Sequence, residues 1–469
     1  MAVRYQVPYR QTLASTWRNR SSSPTEGPPF TMLLKFLIIT CLLAITPSEG
    51  QSAQGLQRID NRSLNLKVMC GYQGWFACEG DGSGLGWVHW GRRRRDAPGP
   101  GNVTVDLWPD VSEYGEDELF ATAFHRPDGT PARVFSSYHP ETVRRHFRWM
   151  RDYGIDGAFV QRFANGLGRG KLGDHKDQVL ANARIAANEA GRVYAVMYDL
   201  SGLASGSVDS VLTDWIQLHD EKKITADESY LHHEGKPLVA IWGIGFNDGR
   251  AYTLAECAAL VRALKQRDCS VMVGVPTGWR TGTRDAVEEA ALQELIAMTD
   301  VVSPWSVGRY RTPEAAQVHG RKVWEPDLEW CSERKLDLLP VVFPGFSWAN
   351  LKGAELDAIP RRGGEFLWAQ MVAAQRAGCR MIYVAMFDEV DEGTAIFKCS
   401  DTPPVSEQTS FLGTGGLPSD YYLRLTGLGA KMLRGEIPAT GAIPRRLSPR
   451  GSRARWRSPL AGASGLCQS

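Results

Sequence analysis

The chain has 469 residues, a formal net charge of +2 and a hydrophobic fraction of 43%. That composition is ordinary for a globular protein, and the length allows one large domain or two or three smaller ones. Because the net charge is close to zero, there is no electrostatic case for nucleic acid as a partner. The sequence is rich in tryptophan, with 15 residues, and many of them stand beside glycine or polar residues. Such rings could stack on sugars, and core packing is the alternative for each of them.

The N-terminal segment has the pattern of an export signal. Residues 1–31 are polar and basic, and we expect them to be disordered or to precede the true start, because Met32 is a better start than Met1. In "MLLKFLIITCLLAI" a lysine precedes an apolar run of about ten residues, which is too short to span a bilayer. Residues 32–53 are therefore predicted to be a signal peptide of a secreted or periplasmic protein without stable membrane insertion. Cys41 leaves a lipid anchor open as an alternative.

The nine cysteines contain no CxxC pair and no metal-type spacing. Cys269 and Cys379 begin apolar runs and are expected to be buried thiols. A disulfide between Cys70 and Cys78 would fit an oxidising compartment, and the sequence leaves that pairing open.

The C-terminal segment differs from the rest of the chain. Residues 436–469 are rich in Arg, Pro, Ser and Gly and lack an apolar pattern. They are predicted to form a disordered basic tail.

Between residues 64 and 435 the chain alternates short apolar runs with amphipathic stretches. The apolar runs predict strands at 66–76, 154–163, 192–200, 236–246, 269–279, 300–308, 338–348 and 379–389. The amphipathic stretches predict helices at 140–154, 177–191, 253–267 and 365–378. Strands that are apolar throughout favour a parallel sheet covered on both faces, and eight such units predict a closed (β/α)8 barrel. Residues 77–139 are predicted to be an insertion over the barrel mouth.

Aromatic and polar residues stand at all eight predicted strand ends, where the active sites of such barrels lie. We predict a wide carbohydrate-binding mouth, with substrate contacts from Tyr72, Trp75, Gln161, Arg162, Asp199, Trp242, Trp279, Trp305 and Trp348. For Arg162 the favoured interpretation is that it neutralises the acidic residues at the last strand end. Trp90 is a further stacking candidate, whereas His89 and His139 are interpreted as surface residues.

The segment "MFDEVDEGTAIFK" places four carboxylates in five positions directly after the last predicted strand. Crowded carboxylates push some of their pKa values upward, which supplies the protonated and the ionised carboxyl that glycosidic cleavage commonly needs. Gly393 and Thr394 indicate a turn, which would let Glu389 and Glu392 both face the cleft. These two residues are the predicted catalytic pair. A Ca²⁺ or Mg²⁺ site and a solvated turn are the alternatives, but the spacing of a calcium loop is missing, so we predict neither metal nor cofactor.

Two of these motifs show a resemblance to a known family. "FDEVDEGTAI" resembles the "FNEWHEGTQI" signature of glycoside hydrolase family 99, the endo-α-mannosidases, which is related to family 71, the α-1,3-glucanases. "GYQGWF" is similar to the aromatic opening segment of those barrels. The resemblance covers about residues 64–435, points to a bacterial family 71/99-like group and implies a (β/α)8 fold.

The same resemblance implies a role for each acid. Glu389 would be the base that deprotonates the sugar 2-hydroxyl to give a 1,2-anhydro sugar, and Glu392 the general acid/base at the glycosidic oxygen, with net retention and no metal. Val390 and Asp391 replace the Trp and His of the family signature, so contacts that position the sugar are altered. The identity of the substrate stays open for that reason.

The sequence thus predicts an exported, monomeric glycoside hydrolase acting on an α-linked glycan or polysaccharide. The alternatives are a non-catalytic carbohydrate-binding barrel, an inverting α-glucanase-like hydrolase with Asp199 as second carboxylate, and a metal-dependent enzyme. The sugar, its linkage and endo or exo cleavage are not fixed by the sequence.

Overall fold

The computed structural model describes residues 57–168 and 170–444. The predictions for residues 1–31, for the signal-like segment 32–53 and for the basic tail from residue 445 onward lie outside the described residues.

The described chain contains twelve β-strands and ten α-helices. The strands are β1 (Val68–Tyr72), β2 (Leu119–His125), β3 (Pro131–Phe135), β4 (Gly157–Phe163), β5 (Val193–Asp199), β6 (His232–His233), β7 (Lys236–Trp242), β8 (Ser270–Pro276), β9 (Val301–Trp305), β10 (Asp337–Leu338), β11 (Val341–Val342) and β12 (Ile382–Val384). The helices are α1 (Pro140–Tyr153), α2 (Gly170–Ala190), α3 (Asp209–Ile216), α4 (Leu254–Gln266), α5 (Ala290–Ile296), α6 (Pro313–His319), α7 (Glu325–Glu333), α8 (Ala349–Lys352), α9 (Glu365–Arg376) and α10 (Tyr421–Leu433).

The main sheet closes on itself through one broken strand. Strands β1, β4, β5, β7, β8 and β9 pair in parallel in that order, β12 pairs with the free side of β1, β10 pairs with β9, and β11 pairs with β12. Leu339 N donates to Val302 O at 2.8 Å, and Tyr383 N donates to Pro340 O at 3.0 Å. The segment 337–342 therefore joins β9 to β12 as the seventh strand of an eight-stranded ring. The predicted (β/α)8 barrel is confirmed.

The strands and helices form for the reasons that the sequence patterns indicate. Every residue of β1 and β8 is buried, as expected for parallel strands packed on both faces. α4 begins with a capping box, in which Thr253 Oγ1 accepts from Glu256 N and the Glu256 carboxylate accepts from Thr253 N. α1 begins at Pro140 and ends at Tyr153, and the next residue is Gly154, whose φ of 75° is easily adopted by glycine. These caps set where the chain turns back toward the next strand.

The long insertion after β1 carries the antiparallel hairpin β2–β3 and packs on the loop after β12. Asp106 N and Leu107 N both donate to Val390 O, at 3.0 and 3.2 Å. The Asp106 carboxylate accepts from Ala349 N and Asn350 N at 2.8 and 2.7 Å. The insertion therefore covers part of the edge formed by the carboxyl ends of the strands.

Two smaller predictions need correction. All seven described cysteines are free, so Cys70 and Cys78 are not paired. Cys70 is buried in β1, and the thiol of Cys78 donates to Phe135 O. The tail does not begin at residue 436, because Ile437 and Ile443 pack against the core and Thr440 O accepts from the Trp368 indole. Within the described residues, no helix is both long and apolar enough to cross a membrane.

Candidate functional site

Asp388 ties the loop after β12 to the loop after β1. Its Oδ1 accepts from Gln73 N at 2.8 Å and its Oδ2 accepts from Gly74 N at 2.9 Å. Burial raises the pKa of Asp388 to about 7, although these two backbone hydrogen bonds oppose the rise. Because both oxygens are occupied and the side chain is fully buried, Asp388 positions the loop and does not face the cleft.

Glu389 is held in one orientation by two donors. Gln73 Nε2 donates to its Oε1 at 2.6 Å, and the Thr394 hydroxyl donates to its Oε2 at 2.7 Å. The residue is only 3% exposed. Burial raises the pKa of Glu389 well above its usual value, and the negative charge of Glu392 raises it further. The turn at Gly393 therefore brings the two glutamates close enough for the charge of Glu392 to affect Glu389. That both face the cleft stays a prediction.

Glu392 lies at the partly exposed end of the same turn. Burial, and then the charge of Asp391, raise its pKa to about 8. Asp199, at the end of β5, adds to this rise, whereas the indole of Trp348 and the ammonium group of Lys352 oppose it. Residues from three separate strand ends therefore meet around the Glu392 carboxyl.

A backbone contact explains why Trp348 lies near Glu392. Ser347 N donates to the carbonyl of Glu392 at 2.9 Å, which joins the loop after β11 to the loop after β12. Arg361 donates to Gly393 O at 2.9 Å and secures the turn from its other side. Burial also raises the pKa of Asp199, although a hydrogen bond from Ser201 opposes that rise.

Asp391 contacts a residue that the sequence interpretation treated as a surface histidine. His89 Nδ1 and Asp391 Oδ2 are 2.9 Å apart, and the His89 ring lies flat on Trp75, with centroids 3.8 Å apart and planes 3° from parallel. Phe163 packs on Trp75 at 5.2 Å. Trp75 therefore supports His89 instead of offering a face to a sugar. Spacing along the chain does not predict the contact between His89 and Asp391. The one sequence signal is the isolated His between two tryptophans in "GWVHWG".

Besides Trp75, three of the predicted aromatic residues stay partly exposed at the strand ends, namely Trp242, Trp305 and Trp348. The rings of Trp242 and Trp305 meet edge to face at 5.2 Å, and the Arg250 guanidinium lies 5.3 Å from the Trp242 ring centre. Gln161 lies deeper in the barrel, where its amide donates to the Tyr383 hydroxyl at 3.1 Å. Contact of these residues with a substrate stays a prediction.

Other predicted contacts must be corrected because their side chains are packed. Tyr72 is fully buried, and its hydroxyl is 2.9 Å from His146 Nδ1, on the side of β1 that faces α1. Trp279 is fully buried, and its indole donates to Asp327 at 3.2 Å. Trp90 is 1% exposed and donates to a backbone carbonyl. A stacking platform needs an open face, and none of these rings has one.

Arg162 also differs from its prediction. It is 1% exposed, and its guanidinium binds Asp214 at 2.5 and 3.0 Å and Asp177 at 2.9 Å. It therefore neutralises these two aspartates and contacts neither Glu389 nor Glu392. His139 remains partly exposed at the start of α1, where it lies 3.7 Å from Asp117.

Within the described residues, one group of three side chains could converge on a metal ion, namely His233, Glu234 and Asp337. Asp337 begins β10, so this group lies at the end of the barrel opposite the mouth. His233 is already satisfied there, since Leu64 N donates to its Nδ1 at 3.3 Å and its Nε2 lies 2.9 Å from Asp337. The carboxylates of residues 388–392 do not form a group of this kind.

Comparison with known proteins gives a likeness in fold. No family model matches the chain, and no curated protein matches it. Among solved structures, the GH99 endo-α-mannosidase from Bacteroides thetaiotaomicron has a TM-score of 0.58 at 17% identity, over 80% of this chain and 99% of that chain. The structure of a GH99 endo-α-mannosidase from the same organism in complex with bis-tris propane gives 0.57 at 16% identity, over 81% of this chain and 100% of that chain. The chain therefore shares the barrel fold of family 99 endo-α-mannosidases, the family that its loop motif also resembles.

Proposed function

We propose that this protein is a glycoside hydrolase that cleaves an α-linked glycan, with Glu389 and Glu392 as its catalytic pair. The observation that carries the proposal is that the buried Glu389 and the partly exposed Glu392 repel each other at the strand end where barrel enzymes bind substrate. Their pKa values are both raised, so one of them retains a proton near neutral pH while the other can ionise.

The hydrogen bonds and the pKa values support a different role for each acid. Glu389 accepts hydrogen bonds from Gln73 and Thr394, and donors of this kind favour the ionised form that a base requires. Glu392, with a pKa raised to about 8, is protonated at neutral pH and is suited to protonate the leaving oxygen. In this proposal Glu389 deprotonates the sugar 2-hydroxyl, whose oxygen then attacks the anomeric carbon, while Glu392 donates its proton to the departing oxygen. Water opens the resulting 1,2-anhydro sugar with net retention.

The α-linkage is the part of the proposal that rests on similarity to known proteins in the loop motif and in the fold. The loop motif resembles that of family 99, and the solved structures with a similar fold are described as endo-α-mannosidases. An α-linked mannan or an α-1,3-glucan is therefore the first substrate class to test. The signal-like segment 32–53 leads us to propose that the protein is exported and acts in a secreted or periplasmic location. We also propose that it acts as a monomer.

A second mechanism is favoured by the position of Asp199. Its negative charge reaches Glu392, and burial raises its own pKa. If Asp199 activates water directly, Glu392 still acts as the acid but the anomeric configuration is inverted. The configuration of the first product therefore distinguishes Glu389 from Asp199 as the second carboxylate.

The test measures product release from α-mannan and α-1,3-glucan oligosaccharides, with NMR of the anomeric signal in the first minutes. We expect turnover with retention, and a loss of at least about 10³-fold in kcat for Glu389→Gln and for Glu392→Gln. Glu118→Gln is the matched control, because Glu118 is also buried but is bound by Arg145 and Thr142 outside the mouth.

Each alternative has its own outcome. Inversion, with loss of turnover in Asp199→Asn and not in Glu389→Gln, supports the second mechanism. Binding without turnover of any oligosaccharide identifies a non-catalytic carbohydrate-binding barrel. Activity that a chelator abolishes and a divalent cation restores indicates a metal-dependent enzyme, and either of these last two results would refute the proposal.

A further inference from the structure

Four carboxyl groups crowd the loop after β12, and very few positive charges lie near them. Among the described residues, His89 is the one basic side chain within 4.0 Å of any carboxylate of Asp388, Glu389, Asp391 or Glu392. Its partner Asp391 is 1% exposed, and the Oδ1 of Asp391 has no hydrogen-bond partner. A buried carboxylate with one contact relies on that contact, so the His89–Asp391 pair cannot be incidental surface packing.

Two contacts hold the His89 ring, and a third holds its backbone. Trp75 stacks on one face, Asp391 holds Nδ1, and the hydroxyl of Thr104 donates to the His89 carbonyl at 2.5 Å. The backbone has a φ of 61°, in the left-handed region that residues other than glycine rarely adopt. Several contacts thus hold His89 in a backbone conformation that residues other than glycine rarely adopt. Strain of this kind often accompanies a functional position.

One polar atom of the ring remains unused. The His89 side chain is 33% exposed, and its Nε2 has no hydrogen-bond partner among the described residues. Because the Asp391 carboxylate accepts from Nδ1, the proton of the neutral ring resides on Nδ1 and Nε2 carries the lone pair. Nε2 can then accept a hydrogen bond from a hydroxyl, and a protonated ring would donate one.

We infer that His89 is a substrate-positioning residue, held by Trp75 and Asp391 so that its Nε2 binds a hydroxyl group of a neutral sugar unit beside Glu389 and Glu392. This inference rests on the proposed function for the identity of the ligand as a glycan. A neutral unit fits better than an anionic one, because the carboxylates of Asp391 and Glu389 would repel an acidic substituent. The specificity of the site thus depends on a residue that the insertion contributes.

The variants separate the two nitrogens of the ring. In His89→Asn the amide nitrogen lies where Nδ1 was, so contact with Asp391 is kept and the group at Nε2 is lost. In His89→Gln the amide reaches the position of Nε2. His219→Asn is the matched control, since His219 also pairs with an aspartate through Nδ1, at 2.7 Å, and is 28% exposed. It follows α3, at the end of the barrel opposite the mouth.

Binding of α-mannan and α-1,3-glucan oligosaccharides is measured by calorimetry in the full chain carrying Glu392→Gln, so that turnover is not needed. We expect Kd to rise about tenfold in His89→Asn and by less than about threefold in His89→Gln and His219→Asn. The melting temperatures of the two asparagine variants should stay unchanged within about 2 °C, because neither loses the partner of a buried carboxylate. The inference is overturned if His89→Asn binds as tightly as its parent, or if the parent binds none of these glycans. The two claims can fail separately. If binding depends on His89 but the wild-type protein shows no turnover, the inference about His89 is supported and the proposed hydrolase function is refuted.

Discussion

Acidic side chains at the two ends of the barrel differ in whether a cation contacts them. At the end where the strands begin, Asp156 accepts from Val68 N at 2.8 Å and binds Arg434 at 3.3 Å. At the same end Asp300 accepts from Val271 N at 2.7 Å and binds Lys265. At the mouth, the carboxyl groups of residues 388–392 have His89 as their nearest basic partner among the described residues.

This difference separates acids that hold the fold together from acids available for chemistry. Asp156 and Asp300 each precede a strand and bind the first amide groups of its neighbour, which fixes the register of two strands while a cation compensates the charge. Among the described residues, no cation forms an ion pair with Glu389 or Glu392, and loss of contact with water raises the pKa of both. Uncompensated charge at one end of a barrel is therefore a sign of function, and the comparison can be tested by mutation at each end.

The largest effect on stability is expected from Asp156→Ala. This change leaves the Val68 amide without its acceptor and Arg434 without its buried partner, so we expect the free energy of unfolding to fall by about 3 kcal/mol. Urea denaturation measures that loss, while turnover per folded molecule should stay unchanged. Asp60→Ala is the control, because Asp60 and Arg62 form an exposed pair at 2.9 Å and the change should cost less than about 0.5 kcal/mol. Equal losses in the two variants would contradict the comparison.

At the mouth, Glu392→Gln should stabilise the protein in a pH-dependent way. The pKa of Glu392 is raised to about 8 in the folded state from a usual value of 4.5, so the folded protein binds this proton more tightly than the unfolded chain. The stability due to this group is therefore present below about pH 4.5 and is lost as the pH rises toward 8. Because Glu392 is partly solvated, we expect the glutamine variant to be about 1–2 kcal/mol more stable at pH 8 and equal to wild type at pH 4.

Chemical denaturation at pH 4, 6 and 8 measures this difference. A constant offset between Glu392→Gln and wild type across the three pH values would show that Glu392 does not retain its proton as the pH rises. The same result would remove its suitability as a general acid.

The barrel could be predicted because its strands are buried on both faces and therefore appear as unbroken apolar runs. One run differs from its prediction. The sequence predicts a single strand over 338–348, but the strand spans 337–342 with Pro340 in its middle. The residues after it form the loop that carries Trp348. A proline cannot donate to the ladder, so the pairing changes from β9 to β12 at that point.

The site could be predicted only where it is local. Glu389, Glu392 and the turn at Gly393 lie within five residues, so their shared environment follows from the motif. The direction of Tyr72 toward α1 depends on the alternation of side chains along β1, and the partners of Arg162 depend on where α3 packs. The contact between His89 and Asp391 joins residues 302 positions apart. Contacts of this range are set by tertiary packing, which spacing along the chain does not encode.

The smallest expected effect, and the one most specific to the mouth, is that of Thr394→Val. Valine keeps the shape of threonine but removes the hydroxyl that donates to Glu389 Oε2 at 2.7 Å. That hydrogen bond favours the ionised carboxylate, so its loss raises the pKa of Glu389 further. If Glu389 is the base, the acidic limb of the kcat/KM profile shifts upward by about one pH unit while the basic limb stays in place. Thr213→Val, which removes an exposed hydroxyl that donates to a backbone carbonyl in α3, serves as the control with no shift. An acidic limb that does not move in Thr394→Val would assign the ionised role to another carboxylate, and Asp199 is then the first to examine.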